Sequence, residues 1–165
     1  MKQRVDFSTY SFVGTIITLG VLAAVFFMPV EGSYSVKWWY IGWGSVVAIL
    51  LVCSLCYCPL SVEVTDEAVE VNRALSFAKR LPLKSIRSVR VCPPTMGAIR
   101  ICGSGGFLGY WGWFRERDLG KYFAYHGKAS DCFLVTMKNG RKYMLGCRNS
   151  REMVDYINSR ISTMQ

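Results

Sequence analysis

Residues 103–114, GSGGFLGYWGWF, interleave five glycines with two Phe, two Trp and a Tyr. Glycine-rich loops hold phosphates when backbone amides and a following Lys surround them, in the pattern G-x-x-x-x-G-K-[ST]. Here Tyr, Trp and Phe follow the glycines, so that chemistry is excluded. The dinucleotide fingerprint G-x-G-x-x-G is excluded as well, because Gly103, Gly105 and Gly109 have the wrong last interval and no βαβ pattern surrounds them. Two readings remain. In one, the glycines supply unusual backbone angles and close approach, while Phe107, Tyr110, Trp111, Trp113 and Phe114 cover the end of a small β-core or pack on neighbouring helices. In the other, some rings enter a lipid headgroup layer beside Arg115, Arg117 and Lys121. The first is favoured, and both can hold for different rings.

Upstream, the chain carries two long runs without an ionisable acid or base. The first, residues 7–30, has 24 residues, and the second, residues 38–62, has 25. Each is long enough for a helix to cross a hydrocarbon core about 30 Å thick, and Pro59 ends the second. Spans of about 8–30 and 38–59 are predicted. A cleavable signal peptide is disfavoured, because the first run is too long and FFMPVEGS lacks a small-x-small site. The short connection EGSYSVK makes the spans an antiparallel hairpin with both chain ends on one side. Lys2 and Arg4 precede the hairpin, only Lys37 lies in the connection, and 17 of the 20 Lys/Arg follow residue 60, so both termini are expected in the cytoplasm. Trp38, Trp39, Tyr40 and Trp43 fall where the second span would enter from the outer interface.

From residue 60 the texture becomes short and alternating. LSVEVTD and AVEVNRAL read as period-2 strands around Asp66 and Glu67, with Leu60, Val62 and Val64 on one face. FAKRLPL is a third strand. In LKSIRSVRVC, Leu83 and Ile86 suggest a helical turn before alternation resumes at Val89 and Val91. KYFAYHG, DCFLVTMK and RKYMLGC supply three more, the last two joined by Asn139-Gly140, a hairpin signal. Then Met153, Val154, Ile157, Ile161 and Met164 recur at helical spacing opposite Arg151, Glu152, Asp155, Asn158 and Ser159. Asn149 followed by Glu152 is a helix-start arrangement. Seven short strands and a terminal helix predict a partly open antiparallel barrel plugged by the helix. The expected division is a two-helix hairpin, residues 1–60, and a compact domain, residues 61–165.

This order, with LPLKSIRSVRV and RICGSGGFLGYWGWF...LGKYFAY, resembles bacterial pleckstrin-homology-like (PH-like) domains, in a branch with two N-terminal membrane helices. The resemblance implies a seven-stranded partly open PH-like barrel capped by a C-terminal helix, below a bacterial inner membrane. It marks Arg100, Gly103, Gly105, Gly106, Gly109, Tyr110, Trp111, Gly112, Trp113 and Phe114 as family motif and interface residues. Phosphoinositide-binding relatives outside bacteria carry a basic first hairpin loop. Here that loop is TDEA, short and acidic, so inositide specificity is not carried over.

No enzyme is expected. The single histidine, His126, has no nucleophile or second imidazole in pattern and reads as a surface or hydrogen-bonded residue. Glu63, Asp66, Glu67, Glu70, Glu116 and Asp118 read as solvated faces. CSLCYC lacks a second ligand pair, so zinc is disfavoured, and all seven cysteines read as free thiols in a reducing compartment. No cofactor or metal is expected. Residues 61–165 hold 17 Lys/Arg against 9 Asp/Glu, a net charge of +8. Lys79, Arg80, Lys84, Arg87, Arg115, Arg117 and Lys121 are the candidate contacts to an anionic surface. The expected role is a membrane-anchored binding or scaffold module with an anionic-lipid or protein partner, a second copy included. The alternative is an accessory subunit of a larger membrane transporter or envelope complex, with Gly14, Gly20, Gly42, Gly44 and Ser45 permitting close helix contact. Without a recognised motif, nucleic acid is not an expected partner.

Overall fold

The computed structural model describes residues 1–26 and 35–163. In chain order it contains strand β1 (Lys2–Arg4), helices α1 (Thr9–Phe26) and α2 (Ser35–Tyr57), and strands β2 (Pro59–Val64), β3 (Ala68–Arg73) and β4 (Lys79–Pro82). A 3-10 turn, Leu83–Ser85, leads to β5 (Ile86–Val91), β6 (Ile99–Gly106), β7 (Gly109–Glu116) and β8 (Gly120–His126). A second 3-10 turn, Ala129–Asp131, precedes β9 (Cys132–Met137), β10 (Lys142–Gly146) and helix α3 (Ser150–Thr163). Most of the hairpin connection, residues 31–34, and Met164 lie outside the described residues.

Both long helices are apolar on every side and long enough to cross a membrane, over Thr9–Phe26 and Trp38–Tyr57. Little of either is covered by the rest of the protein: Tyr10, Phe12, Ile17, Trp38, Ile41 and Ile49 are all exposed. A helix that is apolar all round belongs either in the interior of a larger protein or in a membrane span, and the length and composition of these two allow the second.

The strands form two sheets, one ordered β1-β2-β3-β4 and the other β5-β9-β10-β8-β7-β6. The sheet is not closed, as expected of a partly open barrel. Two details of the expectation are corrected. Nine strands follow the helices rather than seven, because the glycine stretch and its flanks form β6 and β7. Glycines at 103, 105, 106, 109 and 112 interrupt the apolar alternation that marks a strand, so the pattern alone reads as a loop. The strands are also not all antiparallel: β10 returns between β9 and β8 and pairs with β8 in parallel, Tyr143 opposite Phe123. The 3-10 turn after β8 carries the chain past the neighbouring position, which β10 then fills.

Residues ahead of α1 also belong to the sheet. Lys2 pairs opposite Glu63 and Arg4 opposite Ser61, and Val5 is buried in the core. Lys2 Nζ lies 3.2 Å from Glu63, and that hydrogen bond holds the Glu63 carboxyl below its ordinary range. The strand therefore returns the N-terminus to the side of the helix pair that carries the C-terminal domain.

Val62, Val69, Val71 and Leu81 of the first sheet meet Phe133, Val135 and Leu145 of the second, and Met153, Val154 and Ile157 of α3 close the core. The polar face of α3, Arg151, Glu152, Asp155, Asn158 and Ser159, is exposed. Asn149 and Glu152 cap the helix as the spacing implies: Asn149 Nδ2 donates to Glu152 at 3.0 Å and the Glu152 amide donates back at 3.4 Å. The LSVEV alternation slips at its start, because a bulge between Pro59 and Ser61 turns Leu60 outward and Ser61 inward.

His126 is neither exposed nor fully hydrogen-bonded. It is buried, stacked on Tyr110 with ring centroids 4.9 Å apart, and its Nδ1 has no partner. Gly146 makes the room: a Cβ there would stand 2.6 Å from His126 Cβ. Burial lowers the imidazole pKa from 6.5 to about 4, so the ring is neutral at neutral pH. Above pH 6.5 its contribution is complete; as pH falls toward 4 only the unfolded chain takes up the proton, and stability falls by about 3 kcal/mol. Denaturant unfolding of the detergent-solubilised chain at pH 7 and pH 4 is expected to lose that increment in the wild type and not in His126→Phe; equal losses would show that other groups carry the acid sensitivity.

Candidate functional site

The glycine hairpin is built on one close backbone contact. Gly103 and Gly112 face each other across β6 and β7, at φ +128° and +118°. A Cβ on Gly103 would lie 2.1 Å from the Trp111 carbonyl oxygen, and one on Gly112 would lie 2.2 Å from that of Cys102. Only two glycines permit this approach. Gly105 serves differently, leaving space for the Arg100 guanidinium, whose nearest nitrogen is 2.9 Å from where a Cβ would stand.

The tip of the hairpin, residues 106–109, docks on the first turns of α1. Ser11 Oγ donates to the Gly106 carbonyl at 2.6 Å and accepts from the Gly109 amide at 3.1 Å. Thr15 Oγ1 accepts from the Leu108 amide at 3.1 Å and donates to the Ser11 carbonyl at 2.8 Å. Leu108, at φ 51°, shares with Phe12 and Leu55 an apolar cleft of about 380 Å³ between the two helices. Two hydroxyls inside an apolar helix thus satisfy the polar backbone of a tip wedged between α1 and α2.

The aromatic residues divide by strand face. Tyr110 stacks on His126 and Phe114 on Tyr122, on one side of the sheet. Trp111 turns the other way and stacks on Tyr57, the last residue of α2, at 5.3 Å. Trp113 meets Phe123 edge-on at 5.2 Å, and Lys121 Nζ lies 4.7 Å above its ring. Tyr110, Trp111 and Phe114 follow the packing alternative, while Trp113 stays half exposed.

Beside Trp113, between the two sheets, a cavity of about 410 Å³ opens. Three cations line it: Arg73 from the end of β3, Lys79 from the start of β4, and Arg141 from the β9–β10 turn. Its aromatic wall is Tyr57, Trp113, Phe123, Tyr125 and Tyr143. Arg73 Nε donates to the Phe77 carbonyl at 2.9 Å, and its guanidinium lies 5.9 Å over Tyr57. Lys79 Nζ lies 5.8 Å over Tyr143. Burial pushes the Tyr125 hydroxyl up to about 12 despite the adjacent Arg73, so it remains a proton donor.

Of the cations anticipated as surface contacts, only Lys79 lines this cavity and only Lys121 stands beside it, over Trp113. Arg80 is paired with Glu70 at 2.7 Å, while Lys84, Arg87, Arg115 and Arg117 are exposed on separate elements. Arg73 and Arg141 went unmarked. They lie far apart in sequence, and nothing local in NRAL or GRK signals that the sheets bring them together.

Glu116 is not part of a solvated face. It is buried, accepting from Thr95 Oγ1 at 2.9 Å and from the Tyr122 hydroxyl, whose pKa is raised by burial and by that carboxylate. This pins the 92–98 segment over the second sheet. The seven cysteines are free. Burial raises the pKa of Cys132, and lifts that of Cys147 to about 12, which keeps both as unreactive thiols. Among the described residues no cluster of His, Cys, Asp or Glu has the makings of a metal site.

Residues 60–161 match the model of the bacterial PH domain family. The chain belongs to that family. No curated protein and no solved structure matches it. In this bacterial PH domain the first hairpin turn, between β2 and β3, is acidic and faces α3, with Asp66 3.0 Å from Arg160. The basic and aromatic groups gather instead at the end of the domain that meets the helix pair.

Two glycines at positive φ separate strain from collision. Gly112→Ala incurs both, whereas a Cβ on Gly106, at φ +138°, meets nothing within 4 Å. Gly112→Ala is expected to cost at least about 2 kcal/mol more than Gly106→Ala in denaturant unfolding. Ser11→Ala removes the hydroxyl that serves the Gly109 amide and leaves the Gly106 carbonyl only the 3.5 Å contact from Thr15 Oγ1, an expected loss of about 1–3 kcal/mol. Amide hydrogen exchange at Gly109 and Leu108 should quicken, and unchanged protection there would refute the docking role.

Proposed function

We propose that the chain is a membrane-anchored PH-domain binding module. In this reading α1 and α2 form the anchor in a bacterial inner membrane, both termini are cytoplasmic, and residues 61–165, joined by the N-terminal strand, form a domain held against the inner leaflet. The observation that carries it is the clasp between the hairpin tip and α1. A soluble domain on a flexible tether has no need of hydroxyls buried in an apolar helix, whereas a domain seated at the membrane surface must satisfy every backbone group that approaches the hydrocarbon. The excess of Lys/Arg in the N-terminal flank and the domain supports the orientation, and a net charge of +8 in residues 61–165 supports apposition to an anionic leaflet.

PH-like domains are in general binding modules, and the reading rests on that membership. The accessory-subunit reading draws on a separate observation: Gly14, Gly20 and Gly42 have nothing within 4 Å of a Cβ position, so the helix pair presents small-residue faces unused by its own packing. In that case the binding partner would contact the spans as well as the domain.

Two measurements test the anchored module. After alkaline washing the full chain is expected to stay with the membrane pellet, and protease added to intact spheroplasts should spare the C-terminal domain while protease added to inverted vesicles removes it. Release by alkali would refute the anchor, and digestion from the outside would reverse the orientation.

A further inference from the structure

The cavity beside Trp113 has the chemistry of an anion site. Arg73, Lys79 and Arg141 converge on it, and no carboxylate lines it. Among the described residues none of the three is ion-paired, although Arg80, one position beyond Lys79, is neutralised by Glu70. Three uncompensated cations held together repel one another, and an anion among them removes that repulsion. The Arg73 guanidinium is positioned in advance by the Phe77 carbonyl and the Tyr57 ring, and Lys79 by the Tyr143 ring, so ordering costs on binding are small. Tyr57, Tyr125 and Tyr143 line the same space, and a phenol hydroxyl is a donor suited to an oxyanion. A volume of about 410 Å³ falls within the range of small-ligand pockets.

The position of the cavity selects the anion. Tyr57 is both the last residue of α2 and part of the wall, so the cavity reaches the level where the apolar helix ends. For a helix that spans a bilayer this is the headgroup level, where Tyr and Trp sit and phosphate is the abundant anion.

We propose that this inter-sheet cavity binds the phosphate group of an anionic phospholipid headgroup, with Lys79 and Arg141 as its cationic contacts and Arg73 as a preset third. The lipid as source of the phosphate rests on the anchored reading above; the anion site itself does not. The site differs from the first-hairpin-loop location of inositide recognition, which is acidic here and tied to α3 by Asp66 and Arg160.

The full chain is reconstituted into nanodiscs of phosphatidylcholine with increasing phosphatidylglycerol, and lipid retained on release into mild detergent is read by native mass spectrometry. In parallel, sn-glycerol 3-phosphate is titrated onto the chain in pure phosphatidylcholine discs, with tryptophan fluorescence as the signal. Lys79→Gln/Arg141→Gln is compared with the charge-matched Lys138→Gln/Arg151→Gln, whose exposed side chains lie outside the cavity. The expected result is selective retention of phosphatidylglycerol, weakened roughly ten- to a hundredfold in the first variant and less than about twofold in the second. Equal weakening in both variants, or no preference over phosphatidylcholine, would overturn the site. Glycerol phosphate binding that depends on Lys79 and Arg141 without lipid retention would overturn the lipid source and uphold the anion site. A chain that fails to enter discs yet binds glycerol phosphate through the same pair would refute the anchor alone. Circular dichroism of each variant confirms that the comparison is between folded proteins.

Discussion

An apolar helix has no spare hydrogen-bonding groups, yet the tip of the β6–β7 hairpin rests on one. The fit depends on the Ser11 and Thr15 hydroxyls, which take up the Gly106 carbonyl and the Leu108 and Gly109 amides. Leaving such groups unpaired away from water costs on the order of 1–3 kcal/mol apiece. With them satisfied, Leu108 enters the cleft between the helices and Trp111 stacks on Tyr57. Domain and helix pair are thereby in direct contact, and Tyr57 of α2 contributes to the wall of the cavity.

The N-terminal strand reinforces this arrangement from the other side. β1 pairs with β2 at the edge of the first sheet, Gln3 Oε1 accepts from the Asn149 amide at 2.9 Å, and Arg4 accepts from the Arg148 amide through its carbonyl. Both ends of α1 are thus not equivalent: its N-terminal end is tied to the domain at β1 and at the hairpin tip. A short strand placed there also covers a sheet edge that would otherwise offer unpaired backbone groups to another chain.

How much of this was legible depended on the kind of signal. Apolar runs and helical spacing act over contiguous residues, so both long helices, α3 and its Asn149 cap were readable, as were β2 to β5 and β8 to β10. Other features left no local trace. Lys2–Arg4 is too short and polar to announce a strand, and β6 and β7 were masked by glycines that replace the alternating side chains. His126, which reads as a surface or hydrogen-bonded residue, and Glu116, which reads as solvated, are both buried, because burial of a polar group depends on what covers it, here Tyr110 for one and Thr95 with Tyr122 for the other.

By itself the sequence determined composition-driven properties: two apolar helices, a basic β-rich domain with the motif of the bacterial PH family, and a glycine stretch that follows neither nucleotide-loop pattern. Only the tertiary structure decided what that stretch does and where charge gathers. The Gly103–Gly112 contact is a distance between two backbones, and the meeting of Arg73, Lys79 and Arg141 is a consequence of how two sheets face each other. Neither is a property of neighbouring residues, because cross-strand and inter-sheet contacts join positions that the chain keeps apart.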